Sequence, residues 1–159
     1  MMKVLWLSFL LSLCSHQGEY HVQKVWLFTK TQYSGNVPVD RNRKHLQVKS
    51  TLLLCYLKVS RKIESPDWDT AFINGKQYRV KIVPVNQDSV TVGTLKNTNS
   101  PLTIKAGIDS KLVQLILTPG GEIEKPEAWS FLLNGTLHGK SVYLRSNESA
   151  VELAPDLMP

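Results

Sequence analysis

The chain has 159 residues and a formal net charge of +6, from 19 lysines and arginines against 13 aspartates and glutamates. That length fits one domain able to bury a core unaided, and no repeat or low-complexity linker marks a second. The positive surplus favours acidic partners only weakly, and two cysteines, one of them at position 14, exclude a disulfide framework.

Residues 1–15 read as a secretory signal peptide: Lys3 precedes a run from Val4 to Leu13 that is apolar apart from Ser8 and Ser12, and polar residues follow. The run is too short to span a bilayer, which needs roughly 20 residues. Cleavage after Cys14 fits the small-x-small rule through Ser12 and Cys14. Cleavage after Ser15 would make His16 the new amino terminus. A lipobox reading of Leu11-Ser12-Leu13-Cys14 would instead place a lipid on Cys14, with Leu13 standing where a small residue is usual. Each outcome leaves Cys55 as the one free thiol. This scarcity of cysteine favours a periplasmic or other bacterial envelope location over an animal extracellular space.

Residues 16–153 are expected to form one all-β domain. Strand candidates run over 22–29 and 46–59, the second long enough to bend between two sheets. Asn74-Gly75 sits between apolar flanks, and Tyr78, Val80 and Ile82 then alternate with Gln77, Arg79 and Lys81. This reads as a hairpin with a type I′ turn leading into a half-buried strand. Further strands are expected over 89–95, 102–105 and 112–118, with a loop at 97–101 and turns at 33–36 and 118–121. Asn134-Gly135 is expected to turn a second hairpin. Eight or nine short strands at this spacing suggest an antiparallel, immunoglobulin-like β-sandwich. Residues 154–159 are expected to be a disordered tail.

Motifs for the main enzyme classes are missing: no nucleophile elbow, zinc helix, phosphate-cradling glycine loop or dinucleotide fingerprint occurs. Cys55 lies in Leu52-Leu53-Leu54-Cys55-Tyr56-Leu57 and reads as a buried small hydrophobe. If His16 were the mature amino terminus, its amine and ring could bind copper with His45 or His138, giving a redox site. Without that, no cofactor is expected. Glu122, Glu124 and Glu127 form a second acidic stretch that reads as a solvated face.

Trp68, between Asp67 and Asp69, is the aromatic that could stack on a sugar ring, which would make the chain a carbohydrate-binding module; alternatively it plugs one end of the sandwich. Trp26 and Trp129 read as core. Arg41, Arg43 and Lys44, extended by Arg61 and Lys62, form the main basic stretch, suited to anionic polysaccharide or lipid headgroups. It lacks the interleaved aromatics of single-strand platforms, so nucleic acid is not expected as a partner. Asn134 and Asn147 head glycosylation sequons, relevant only in a eukaryotic exporter. The leading expectation is a non-enzymatic binding or assembly module, periplasmic or secreted, contacting a protein partner through strand edges or end loops, with membrane attachment only through a lipid on Cys14.

Overall fold

The computed structural model describes residues 18–19, 22–33, 49–119 and 129–156. The expected signal peptide with Cys14, the residues His16, Arg41, Arg43, Lys44 and His45, and the acidic stretch 122–127 lie outside them. The described chain is all-β. Its strands are β1 (Gly18–Glu19), β2 (Lys24–Tyr33), β3 (Lys49–Ser60), β4 (Asp67–Ile73), β5 (Lys76–Pro84), β6 (Ser89–Thr94), β7 (Pro101–Lys105), β8 (Ser110–Pro119), β9 (Phe131–Leu137), β10 (Lys140–Ser146) and β11 (Val151–Asp156). Nine of them make one mixed sheet in the order β1-β10-β9-β4-β5-β8-β3-β2-β11, and β6 and β7 form a separate two-stranded ribbon.

Chain connectivity dictates the shape of the large sheet. Strands β1 and β2 are seven places apart, which in a flat sheet with ~4.8 Å between strands would be ~34 Å. Yet the Gln23 N–H donates to the Lys58 carbonyl at 3.0 Å, so Gln23 already lies against β3. Only four residue steps separate it from Glu19, and these span at most ~14 Å. The sheet therefore coils until its ends approach one another.

Coiling encloses one face of the sheet. Val25 and Leu27 of β2, Leu53, Cys55, Leu57 and Val59 of β3, Val113, Leu115 and Leu117 of β8, and Phe131 and Leu133 of β9 join there with Tyr78, Ala71, Ile73 and Leu144. The other face is covered only across β2, β3, β8 and β11, where Val92 and Ile104 of the ribbon pack with Ala106 on Phe28, Leu54, Tyr56, Leu112 and Leu153. Strand β3 is thus buried on both faces, which is why its sequence reads as a continuous apolar run rather than an alternation. Each such leucine contributes about 1.5–3 kcal/mol by leaving water. The ribbon is joined to the sheet by a bridge between Leu95 and Leu153 and by the Leu153 side chain lying over Gly93.

Four expectations from the sequence are revised. The long apolar strand stays in one sheet, paired with β2 from Lys49 to Lys58 and with β8 from Leu53 to Ser60. Strand β11 runs on to Asp156, which pairs parallel with Gln32 of β2 after a register shift, so the supposed tail begins inside the sheet. A second parallel pairing, β1 with β10, departs from the all-antiparallel expectation.

The fourth revision concerns Asn134-Gly135, which lies inside β9 and not in a turn: Asn134 faces Tyr143 on one side and Thr70 on the other, and Gly135 faces Val142 and Trp68. The chain reverses at His138 and Gly139, both at positive φ (50° and 74°). The apolar pattern decides between the two turns. Reversal at His138-Gly139 sets Leu133 opposite Leu144, both buried, whereas reversal at Asn134-Gly135 would set Leu133 opposite Thr136. The first hairpin turns where expected, with Asn74 at φ 49° and Gly75 at 79°.

Candidate functional site

Trp68 sits on β4 and not in a loop, and it is 2% exposed within the enclosed core. Its placement depends on a β-bulge between Trp68 and Thr70 opposite Asn134-Gly135. The bulge adds one residue, so Trp68 and Ala71 both point inward while Asp67 and Asp69 face solvent. The ring lies against Gly135 on the neighbouring strand, where a Cβ would come 2.8 Å from the Trp68 ring and 2.5 Å from the Asp67 carbonyl oxygen. Glycine at 135 is therefore required by close approach. A tryptophan buried in this way cannot stack on a sugar, which corrects the carbohydrate-binding expectation for this residue. Trp26 and Trp129 are half-buried at the edges of the two core clusters.

Cys55 is fully buried, and burial pushes its thiol well above the ordinary thiol range. It is a packing residue in a form that resists ionisation. Burial also raises the Tyr56 and Tyr78 hydroxyls. Of the expected copper ligands only His138 is described: it occupies the β9–β10 turn, with Nε2 3.0 Å from a Glu64 carboxylate oxygen. Among the described residues no group of three histidine, cysteine or acidic side chains converges on a metal position. Of the sequon asparagines, Asn134 is half-buried in mid-strand and Asn147 is exposed after β10.

One end of the sheet draws together several loops that are far apart in sequence. Arg61 is the organiser. Its backbone N–H donates to the Asp109 carbonyl at 3.0 Å, its Nε to the Ser110 carbonyl at 2.9 Å, and its guanidinium pairs with the Asp88 carboxylate. The expected basic partner surface around Arg61 is thus partly a structural brace. Buried Ser110 donates its hydroxyl to Gln23 Oε1 at 2.8 Å, tying in the start of β2, and the Ala106 N–H donates to the Asp88 carbonyl at 2.8 Å. The Glu64–His138 contact attaches the β9–β10 turn to the same group of loops.

From this braced end Ile108 projects 95% exposed and Ile63 44% exposed. Gly107, at φ 90°, makes the sharp bend that presents Ile108. Lys24 and Lys58 are directly opposite on β2 and β3, and Lys24 lies 5.3 Å from the Trp26 ring centroid. Lys62, Lys105 and Lys111 belong to the loops and strand ends around the same point. Comparison with known proteins adds no family to this picture: no protein-family model, curated protein or solved structure matches the chain.

Proposed function

We infer that the chain is an exported, non-enzymatic binding or assembly module that works through protein–protein contact. In this reading residues 1–15 direct export and are removed, and the ribbon packed on the coiled sheet acts as the second layer of a β-sandwich. The observation that supports it is the ribbon's position. Strand β7 is the outer strand of a two-stranded ribbon, held on the sheet from below by Val92 and Ile104, with Thr103 and Lys105 exposed along it. Such an edge offers backbone groups onto which a partner strand can add, while Pro101 and Lys105 at its two ends discourage indiscriminate pairing.

The test is site-specific photo-crosslinking in the exporting cell. A photoreactive side chain at Thr103 should give a discrete protein adduct that one at the distant exposed position Asn147 does not. Adducts of equal pattern from both positions, or none from Thr103, would remove the edge as the contact site.

A further inference from the structure

We propose that the Arg61-braced end docks on an anionic lipid bilayer, with Ile108 and Ile63 entering the headgroup region and lysines surrounding them meeting acidic headgroups. This goes beyond the edge contact proposed above and uses the loops beyond the end of β7 rather than its edge, with Lys105 at the border of the two.

The apolar part is Ile108, which stands off the protein, with partly exposed Ile63 on the loop that begins at Arg61. Ile108 has almost none of its surface covered, and the loop carrying it is fixed to its neighbour by the Arg61–Asp109 and Arg61–Ser110 hydrogen bonds. An isoleucine held in water on a rigid support has its ordering already done, so what it gains on entering an apolar phase is not offset by ordering the loop.

Charge supplies the second half. Lys24, Lys58, Lys62, Lys105 and Lys111 gather at this end, and none has a carboxylate partner among the described residues. Three acids lie in these loops, with exposed Asp67 at the start of β4 beside them. Asp88 is paired with Arg61 and Glu64 with His138, and Asp109 completes the set. Lys24 and Lys58 are directly opposite in the β2–β3 register, so two cationic side chains start from one place on the sheet. The Lys58 ammonium lies 3.8 Å from where a Gly107 Cβ would be, beside the root of the Ile108 loop. Positive and apolar groups are therefore presented together.

This combination fits a bilayer better than a protein. Protein interfaces are anchored by aromatic and arginine side chains and are depleted in lysine. Lysines beside an acidic membrane each add attraction, and their long stems let the ammonium groups stay at headgroup level while the isoleucines go deeper.

Sedimentation with vesicles tests this, using the full chain carrying Cys14→Ser so that no lipid can be attached and any contribution of residues 1–15 is common to every variant. Binding to vesicles containing phosphatidylglycerol should exceed binding to pure phosphatidylcholine and fall with added salt. Ile108→Ser with Ile63→Ser should weaken it at least about tenfold, and Lys62→Gln roughly fivefold, both with an unchanged unfolding midpoint. Equal binding by the parent and the double isoleucine variant overturns the proposal. So does an Ile108-dependent protein adduct without any vesicle preference, which would make this end a protein-docking surface. Loss of the Thr103 crosslink with vesicle binding intact would count against the edge contact alone.

Discussion

Gly135→Ala is the substitution that most directly tests the strand placement of Asn134-Gly135. A methyl group at 135 would stand 2.5 Å from the Asp67 carbonyl oxygen and 2.8 Å from Trp68 Cε3, where ordinary contact begins at 3.4 Å. The shortfall is about 0.9 Å against backbone and about 0.6 Å against a ring locked in the core. A carbonyl in a strand cannot swing aside, so β4 and β9 must separate or the bulge must flatten. Overpacking of this kind costs about 1–3 kcal/mol, and with the backbone as the obstacle the upper end, about 3 kcal/mol, is expected. The contrast is Gly75→Ala, where a Cβ meets nothing within 4 Å and the cost is the left-handed φ alone, about 1–2 kcal/mol. Urea unfolding should show Gly135→Ala with the lower midpoint and both variants with the parent's slope. If Gly135→Ala matched or exceeded Gly75→Ala in stability, residue 135 would not be packed between strands and the β9–β10 register would be wrong.

Trp68→Ala should cost about 3–5 kcal/mol by the same urea assay, because it empties a fully buried site. At the true second turn, Gly139→Ala should cost about 1–2 kcal/mol through its positive φ, while His138→Asn, which keeps a residue tolerant of that conformation, should stay within about 0.5 kcal/mol. The raised Cys55 thiol predicts alkaline destabilisation. The unfolded chain gives up this proton as pH rises past its ordinary value of 9.0, while the folded chain keeps it, so stability falls by up to about 1.4 kcal/mol per pH unit beyond that point. Cys55→Ala should be less stable near neutrality but lose less between pH 9 and 10, as read from urea midpoints across that range. In a Cys14→Ser background a thiol reagent should label the folded protein no faster than it unfolds.

Local signals were legible where a single strand pair decided the outcome. Asn74-Gly75 turns as its dipeptide suggests, and Tyr78 and Val80 point inward while Arg79 and Lys81 point out, because alternation and turn chemistry agree there; Ile82, expected with Tyr78 and Val80, is exposed. They disagree at Asn134-Gly135, where burial of Phe131, Leu133 and Leu144 across two strands outweighs a favourable turn dipeptide. Of the two readings of Trp68, packing rather than sugar stacking fits its burial, but its place in the core depends on a bulge opposite a glycine 67 residues later, which no local window contains. The Arg61-braced end was hidden for a similar reason. Its loops are separated in sequence by tens of residues, and Ile108 alone in a polar stretch carries no pattern.

The parallel pairing of β11 with β2 constrains the order of events during folding. Val151 lies opposite Phe28, more than a hundred residues earlier, and Leu153 helps to hold the ribbon on the sheet. Closing so large a loop is slow in chain-entropy terms, so the middle strands can pair while β2 still waits for its outer neighbour. Until β11 arrives, Phe28 is incompletely covered and one side of β2 lacks the strand that finally occupies it. A chain emerging from its amino end thus stays incompletely folded until β11 has followed.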